Sequence, residues 1–236
     1  MIRAMGILVK SDLRDRKLLV WNTIGLAVAV LMVSLLEILF RGSASIAHLR
    51  MDLLITAIAM VVVHEVFIPL VYRFRQYRMN GLIGYLVGEE GFLKYILSYA
   101  TNRGAITILF SGTLSLGLMG DGNIAELAAI NVLAVAVFGL MGTYIGLKSD
   151  VRDGSRKNVY ILYALMVVSL IIGILFQESS VTLHYLLLTS PLMVIWNCFN
   201  YAVRDMSGEL IESTVALVVH IAVWYGLCSR AVKKLD

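Results

Sequence analysis

Residues 18–40 read LLVWNTIGLAVAVLMVSLLEILF, and Glu37 is the one charged side chain among them. As an α-helix this stretch would be ~34 Å long at 1.5 Å per residue, enough to cross the hydrocarbon core of a bilayer. Similar apolar runs recur along the chain, and they decide the fold class. We therefore predict an all-α integral membrane protein.

The composition supports this fold class. Of the 236 residues, 59% are apolar and 15% are charged, whereas soluble domains are about 45–50% apolar and about 25% charged. So few charges argue against a soluble enzyme, a secreted disulfide scaffold and a disordered protein. The net charge is +4, but the basic residues fall in clusters between apolar runs. This pattern indicates membrane topology, and we expect no nucleic-acid partner.

We predict six transmembrane helices in a single domain that covers residues 1–236. The predicted spans are residues 18–40, 51–72, 94–120, 124–147, 158–176 and 210–229. With the N-terminus in the cytosol, 17 of the 20 lysines and arginines face inward, and only Arg41, Arg50 and Arg204 face outward. Because cytoplasmic loops carry the excess of basic residues, this count predicts an N-in/C-in topology.

The apolar stretch 183–203 is a candidate for a seventh span. A seventh span would carry the basic residues after 229 to the outside, against the positive-inside rule. Pro191 also lies in the middle of the stretch. We therefore expect residues 177–207 to form an outward-facing re-entrant helical hairpin.

Two further elements are predicted on the cytosolic side. Residues 1–17 have the spacing of an amphipathic helix, which acts either as a basic anchor on anionic membrane lipid or as an elbow helix that leads into the first span. The long connection after the second span contains GLIGYLVG at 81–88, followed by Glu89 and Glu90. This unit is too short to span and too apolar for a free loop. We expect a short helix at 80–91 that rests on lipid or on a partner protein.

In order and spacing, these elements resemble the permease subunits of type-2 ATP-binding-cassette exporters over the whole chain. The resemblance is carried by KSDLRDRKLL at 10–19, by the unit at 81–88, by TSPL at 189–192 and by the basic tail. The chain departs from the family pattern at Gly84, at the turn of residues 88–91 and at Met193.

The resemblance implies a plasma- or inner-membrane permease that pairs with a second copy or a paralogous subunit. A separate nucleotide-binding subunit would bind ATP and Mg²⁺ on the cytosolic side, so the chain itself would bind no cofactor and contain no catalytic residue. The residues expected to couple to the ATPase lie in the elbow and in the short cytosolic helix: Asp12, Arg14, Arg16, Gly81, Leu82, Tyr85, Leu86, Glu89 and Glu90.

No phosphate-binding loop of its own is predicted for the chain. The nearest string, GTYIGLKS at 142–149, has Leu147 where the pattern requires glycine, and it ends an apolar run instead of following a strand. Gly142 and Gly146 are better interpreted as a close helix-packing face.

The second predicted span contains an ionisable pair, His64 and Glu65. Such a pair inside a membrane is either a functional site or one partner of a hydrogen bond between helices, for which Asn131 in the fourth span is a candidate. His64, Glu65 and Asn131 are therefore candidate lining residues of a translocation path. The alternative function is a proton-coupled secondary transporter or channel that uses His64 and Glu65.

Intramembrane proteolysis is a third and less favoured function. Glu89, Glu90 and Lys94 resemble part of the paired-glutamate helix of CAAX-type proteases, but such chemistry needs later histidines to converge on the glutamates. His184 is predicted on the opposite side of the membrane from Glu89. The string that begins at His64 also lacks the second histidine of H-E-x-x-H, because Ile68 occupies that place. No metal site is predicted.

Overall fold

The computed structural model describes residues 55–56, 59, 63–68, 70–72, 124–148, 161, 164–166, 168–173 and 185–232. All regular structure in these residues is helical. The elements are a π-helix (Val63–Phe67), α1 (Ile124–Lys148), α2 (Pro191–Val203) and α3 (Ser207–Val232). A shorter apolar helix, Ala164–Gly173, lies between α1 and α2 in the chain.

Within the described ranges, two helices, Ala125–Lys148 and Ser207–Ala231, are long and apolar enough to cross a membrane by length and composition. α1 coincides with the predicted fourth span, 124–147, and α3 extends three residues beyond each end of the predicted span 210–229. The predicted spans 51–72 and 158–176 are described only in part. The spans 18–40 and 94–120, the elbow and the helix at 80–91 lie outside the described residues.

The two long helices differ in what surrounds them. In its most apolar 18-residue window α1 is 61% buried, whereas α3 is 11% buried. α3 exposes a row of large apolar side chains, namely Ile211, Val215, Val218, Val219, Val223 and Tyr225. A continuous apolar face of this kind requires an apolar environment, such as lipid or another protein.

α2 has clear local signals at both ends. Pro191 occupies the first turn, where its missing N–H leaves no intrahelical bond unmade. At the other end, the N–H of Met206 donates to the carbonyl of Tyr201 at 3.0 Å, and Asp205 between them has a φ of 54°. This is the Schellman arrangement, which closes a helix and reverses the chain. The chain therefore turns directly from α2 into α3.

The described part of the second predicted span, here called segment 55–72, runs in the same direction as α1. The rings of Phe67 and Phe138 pack edge to face with 6.3 Å between their centroids. One turn further along both segments, a β-carbon added to Gly142 would lie 3.2 Å from Cβ of Leu70 and 2.7 Å from the carbonyl oxygen of Phe67. The two backbones come this close because glycine has no side chain. This contact confirms the packing role predicted for Gly142.

α2 and α3 form an antiparallel hairpin of unequal arms. The side chain of Thr214 hydrogen-bonds the sulfur of Cys198. Farther from the turn, a ring nitrogen of His220 bonds the carbonyl of Leu188 at 3.0 Å. His220 lies midway along α3, whereas Leu188 precedes the first residue of α2. α2 therefore covers only the half of α3 next to the turn.

Two more hydrogen bonds join this hairpin to the other helices. Nε1 of Trp196 donates to Oγ1 of Thr56 at 3.1 Å, and the thiol of Cys228 donates to the carbonyl of Leu140 at 3.1 Å. The first bond lies near the α2–α3 turn, and the second lies ~18 Å or more farther along α3 at 1.5 Å per residue. Segment 55–72, α1 and α3 therefore run in parallel, and α2 runs against them.

Candidate functional site

Four buried polar side chains, here called the polar layer, lie in the half of the bundle nearest the α2–α3 turn. They are Asn131 on α1, Asn197 and Asn200 on α2, and Ser213 on α3, and each is at most 2% exposed. α1, α2 and α3 pack against one another in all three pairs. Packed helices have axes about 8–10 Å apart, so residues at the same position along the bundle axis, here called depth, are near neighbours where the helix faces meet.

Hydrogen bonds and close contacts set the depth of each member. Asn131 precedes Gly142 by eleven residues, and Thr56 precedes Phe67 by the same number. Since Gly142 meets Phe67 and the two segments are parallel, Asn131 lies level with Thr56. Thr56 in turn is bonded to Trp196, the neighbour of Asn197.

The remaining two members follow from the hairpin. Ser213 adjoins Thr214, which bonds Cys198. Asn200 lies three residues from Asn197 on α2, a step of ~4.5 Å along the axis. The four side chains therefore occupy a slab roughly one to two helical turns thick.

Among the described residues, the oxygens of the polar layer have no hydrogen-bond partners. Nδ2 of Asn131 donates to the carbonyl of Leu127 at 2.9 Å, but its Oδ1 has no partner. The same holds for Oδ1 of Asn197, Oδ1 of Asn200 and Oγ of Ser213. A buried polar group without a partner costs about 1–3 kcal/mol. Four such groups at one depth require an explanation.

A second polar group lies half-way along α3, where α2 begins. Oγ of Ser169 and Oγ of Ser190 are 2.7 Å apart, and Ser190 immediately precedes α2. The nearby His220 donates through Nε2–H to Leu188, because a carbonyl oxygen only accepts. These contacts join the shorter helix, the start of α2 and the middle of α3. They leave each named side chain with a partner.

Charges are distributed unequally between the two ends of the bundle. Among the described residues, the end with the α2–α3 turn carries four exposed carboxylates and one exposed guanidinium: Glu126, Asp205, Glu209, Glu212 and Arg204. Burial, followed by the carboxylates of Glu209 and Glu212, raises the pKa of Tyr201 near the end of α2. At the opposite end, the exposed charged residues in the described part of the chain are Lys148 and Arg230. The turn end therefore attracts cations.

The structure describes only part of the predicted site. The backbones of His64 and Glu65 lie in the π-helix, and Asn131 belongs to the polar layer. Nδ2 of Asn131 donates to the carbonyl of Leu127 within its own helix. The predicted coupling residues lie outside the described residues: Asp12, Arg14, Arg16, Gly81, Leu82, Tyr85, Leu86, Glu89 and Glu90.

The described part of the chain contains no set of ligands for a catalytic metal ion. No group of three or more His, Cys, Asp and Glu side chains comes together there. The polar layer offers neutral carboxamide and hydroxyl oxygens instead.

Of the four residues of the polar layer, the sequence pattern predicts only Asn131 as a functional residue. Asn197, Asn200 and Ser213 were not singled out, because Asn197 and Asn200 fall in the predicted outer hairpin, where polar residues are ordinary. The i, i+3 spacing of the two asparagines within the apolar run PLMVIWNCFNYAV was the available signal.

In comparisons with known proteins, no family model matches the chain, and neither a curated protein nor a solved structure matches it.

Proposed function

We propose that this chain is the membrane-spanning permease subunit of a type-2 ATP-binding-cassette exporter. The observation that carries the proposal is the common direction of segment 55–72, α1 and α3. In a six-span, N-in/C-in protein the second, fourth and sixth spans all run from outside to inside. Their parallel packing supports that topology, which the exporter class requires.

Two features of the hairpin also support the proposal. In a membrane, α2 would start near mid-depth and rise to the outer surface, as expected of an outward re-entrant hairpin at 177–207. The acidic turn end would then face outward, and Lys148 and Arg230 would face the cytosol, in agreement with the positive-inside rule. The exposed apolar face of α3 would contact lipid or a second subunit in the plasma or inner membrane.

In this proposal, the energy comes from a partner. A separate nucleotide-binding subunit holds ATP and Mg²⁺ and docks on the short cytosolic helix at 80–91 and on the elbow around Asp12–Arg16. Closure of the ATPase pair pushes these elements. The tightly packed helices transmit the movement as rigid bodies and open a path at the interface between two permease subunits.

The experiment is a purification of the tagged chain from its native membranes in mild detergent. The proposal predicts that a soluble, vanadate-sensitive ATPase co-purifies in stoichiometric amount. Leu82→Glu places a charge in the apolar docking unit and should remove the ATPase. Leu86→Met keeps that unit apolar and should retain it. A preparation without ATPase, under conditions that hold a known exporter complex together, would contradict the proposal.

A second function is favoured by one specific observation. His64 and Glu65 both lie in the five-residue π-helix Val63–Phe67, and π-helical turns inside α-helices occur frequently at functional sites. In a proton-coupled transporter, Glu65→Gln should abolish proton-driven flux. In an ATP-driven exporter the same change should leave ATPase association intact.

A further inference from the structure

The unpartnered atoms of the polar layer are all oxygens, and three of the four can only accept hydrogen bonds. Each unpartnered atom is a carboxamide or hydroxyl oxygen: Oδ1 of Asn131, Asn197 and Asn200, and Oγ of Ser213. The assignment of Asn131 is fixed, because its other side-chain atom donates to a carbonyl oxygen and must be the nitrogen. A ligand that satisfies this set must present positive charge or hydrogen-bond donors.

The charges around the polar layer favour a cation over a neutral hydrogen-bond donor as the ligand. The exposed carboxylates of Glu126, Glu209 and Glu212 lie within about two helical turns of the layer, toward the α2–α3 turn. Arg204 is the one described basic residue at that end. A mouth lined mainly by carboxylates raises the local concentration of cations.

The absence of charged side chains within the polar layer limits the charge of the cation that it can bind. The layer consists of neutral oxygens, and no group of three acidic, histidine or cysteine side chains lies in the described part of the chain. Protein sites for Ca²⁺ and Mg²⁺ depend on carboxylates. Neutral carbonyl and hydroxyl oxygens are the ligands expected for a monovalent ion that has to be released again.

We propose that the polar layer binds a small monovalent cation, for which Na⁺ is the probe. The ion takes ligands from α1, α2 and α3, enters from the acidic turn end and stabilises the packing of the α2–α3 hairpin on α1. This inference does not depend on an ATPase partner, since it concerns binding to this chain alone.

The test measures thermal unfolding of the full chain in mild detergent. Cys198 and Cys228 are both free and buried, so a thiol-reactive fluorogenic dye reports their exposure on unfolding. NaCl, KCl and N-methyl-D-glucamine chloride are compared at equal ionic strength. We expect a saturable rise in melting temperature in an alkali salt, roughly 3–6 °C at a concentration about ten-fold above Kd.

Variants connect the response to the layer. Ser213→Ala and the double change Asn197→Leu with Asn200→Leu should remove the salt-specific rise. Thr143→Val is the matched control. The hydroxyl of Thr143 is equally buried and without a partner, but it lies ~18 Å farther along α1. This variant should keep the full rise.

Direct binding makes the test independent of variant folding. Equilibrium binding of ²²Na⁺ to the wild-type chain should saturate near one ion per chain. Equal melting temperatures in all three salts together with no saturable ²²Na⁺ binding would overturn the proposal. A salt response that persists in the Ser213→Ala and double variants would place the ion elsewhere and would overturn it equally.

Discussion

Trp196 donates a 3.1 Å hydrogen bond to Thr56, a residue 140 positions earlier in the chain. This bond fixes α2 against segment 55–72 and sets the depth of the polar layer. The indole of Trp196 is fully buried. If the hydroxyl of Thr56 is removed, no water can therefore reach the indole N–H to accept its hydrogen bond.

The coupling between these two side chains should be measurable. Thr56→Val leaves the indole N–H unpaired, and Trp196→Phe removes the donor and shrinks the ring. A double-mutant cycle should give a coupling free energy of about 0.5–2 kcal/mol, the range for hydrogen bonds between packed helices. The measurement is thermal unfolding in detergent of the wild type, both single variants and the double variant. Strictly additive effects would show that the bond contributes nothing to stability.

The closest backbone contact gives a steric prediction. Since a β-carbon at Gly142 would lie 2.7 Å from the carbonyl oxygen of Phe67, Gly142→Ala must separate segment 55–72 from α1. We expect a loss of about 1–3 kcal/mol, the usual cost of overpacking a dense interior. Thermal unfolding measures it.

Gly226→Ala is the matched control for this change, because nothing lies within 4 Å of a β-carbon at that position of α3. Alanine favours a helix interior over glycine by about 1 kcal/mol, so Gly226→Ala should be neutral or slightly stabilising. Equal effects of the two changes would contradict the close contact at Gly142.

The turn between α2 and α3 gives a backbone prediction. Asp205 has a φ of 54°, a left-handed conformation that costs most L-residues about 1–2 kcal/mol and that glycine adopts freely. Asp205→Gly should therefore retain or raise the melting temperature, whereas Asp205→Val should lower it. Similar melting temperatures for the two variants would exclude a left-handed residue at this turn.

The elements predicted best from sequence are those defined by apolarity alone. The helix Ile124–Lys148 was predicted within one residue, because its apolar run is bounded by Asp121 and Lys148. The last helix was predicted three residues short at each end. Hydropathy marks only the apolar part of a helix, whereas backbone hydrogen bonding continues through Glu209 and Arg230.

Other features leave little trace in the sequence. The π-helix Val63–Phe67 has no separate hydrophobic period, since five residues are too few to distinguish one helical repeat from another. Pro191 was interpreted as an interruption of an apolar run, whereas it begins a helix in the structure. The polar layer depends on how residues of three different helices align in depth, which only the packing of the helices determines.

The proposed exporter function depends most on the direction in which the chain crosses the membrane. The measurement is labelling of single introduced cysteines with a membrane-impermeant maleimide, because the native Cys198 and Cys228 are buried and provide an unreactive background. Met206→Cys lies in the α2–α3 turn, where the native side chain is 37% exposed. Lys233→Cys lies in the basic tail. We predict that intact cells label the cysteine at position 206 and that the cysteine at 233 reacts only after permeabilisation. Labelling of position 233 in intact cells, or of position 206 only after permeabilisation, would contradict the topology and the exporter function that rests on it.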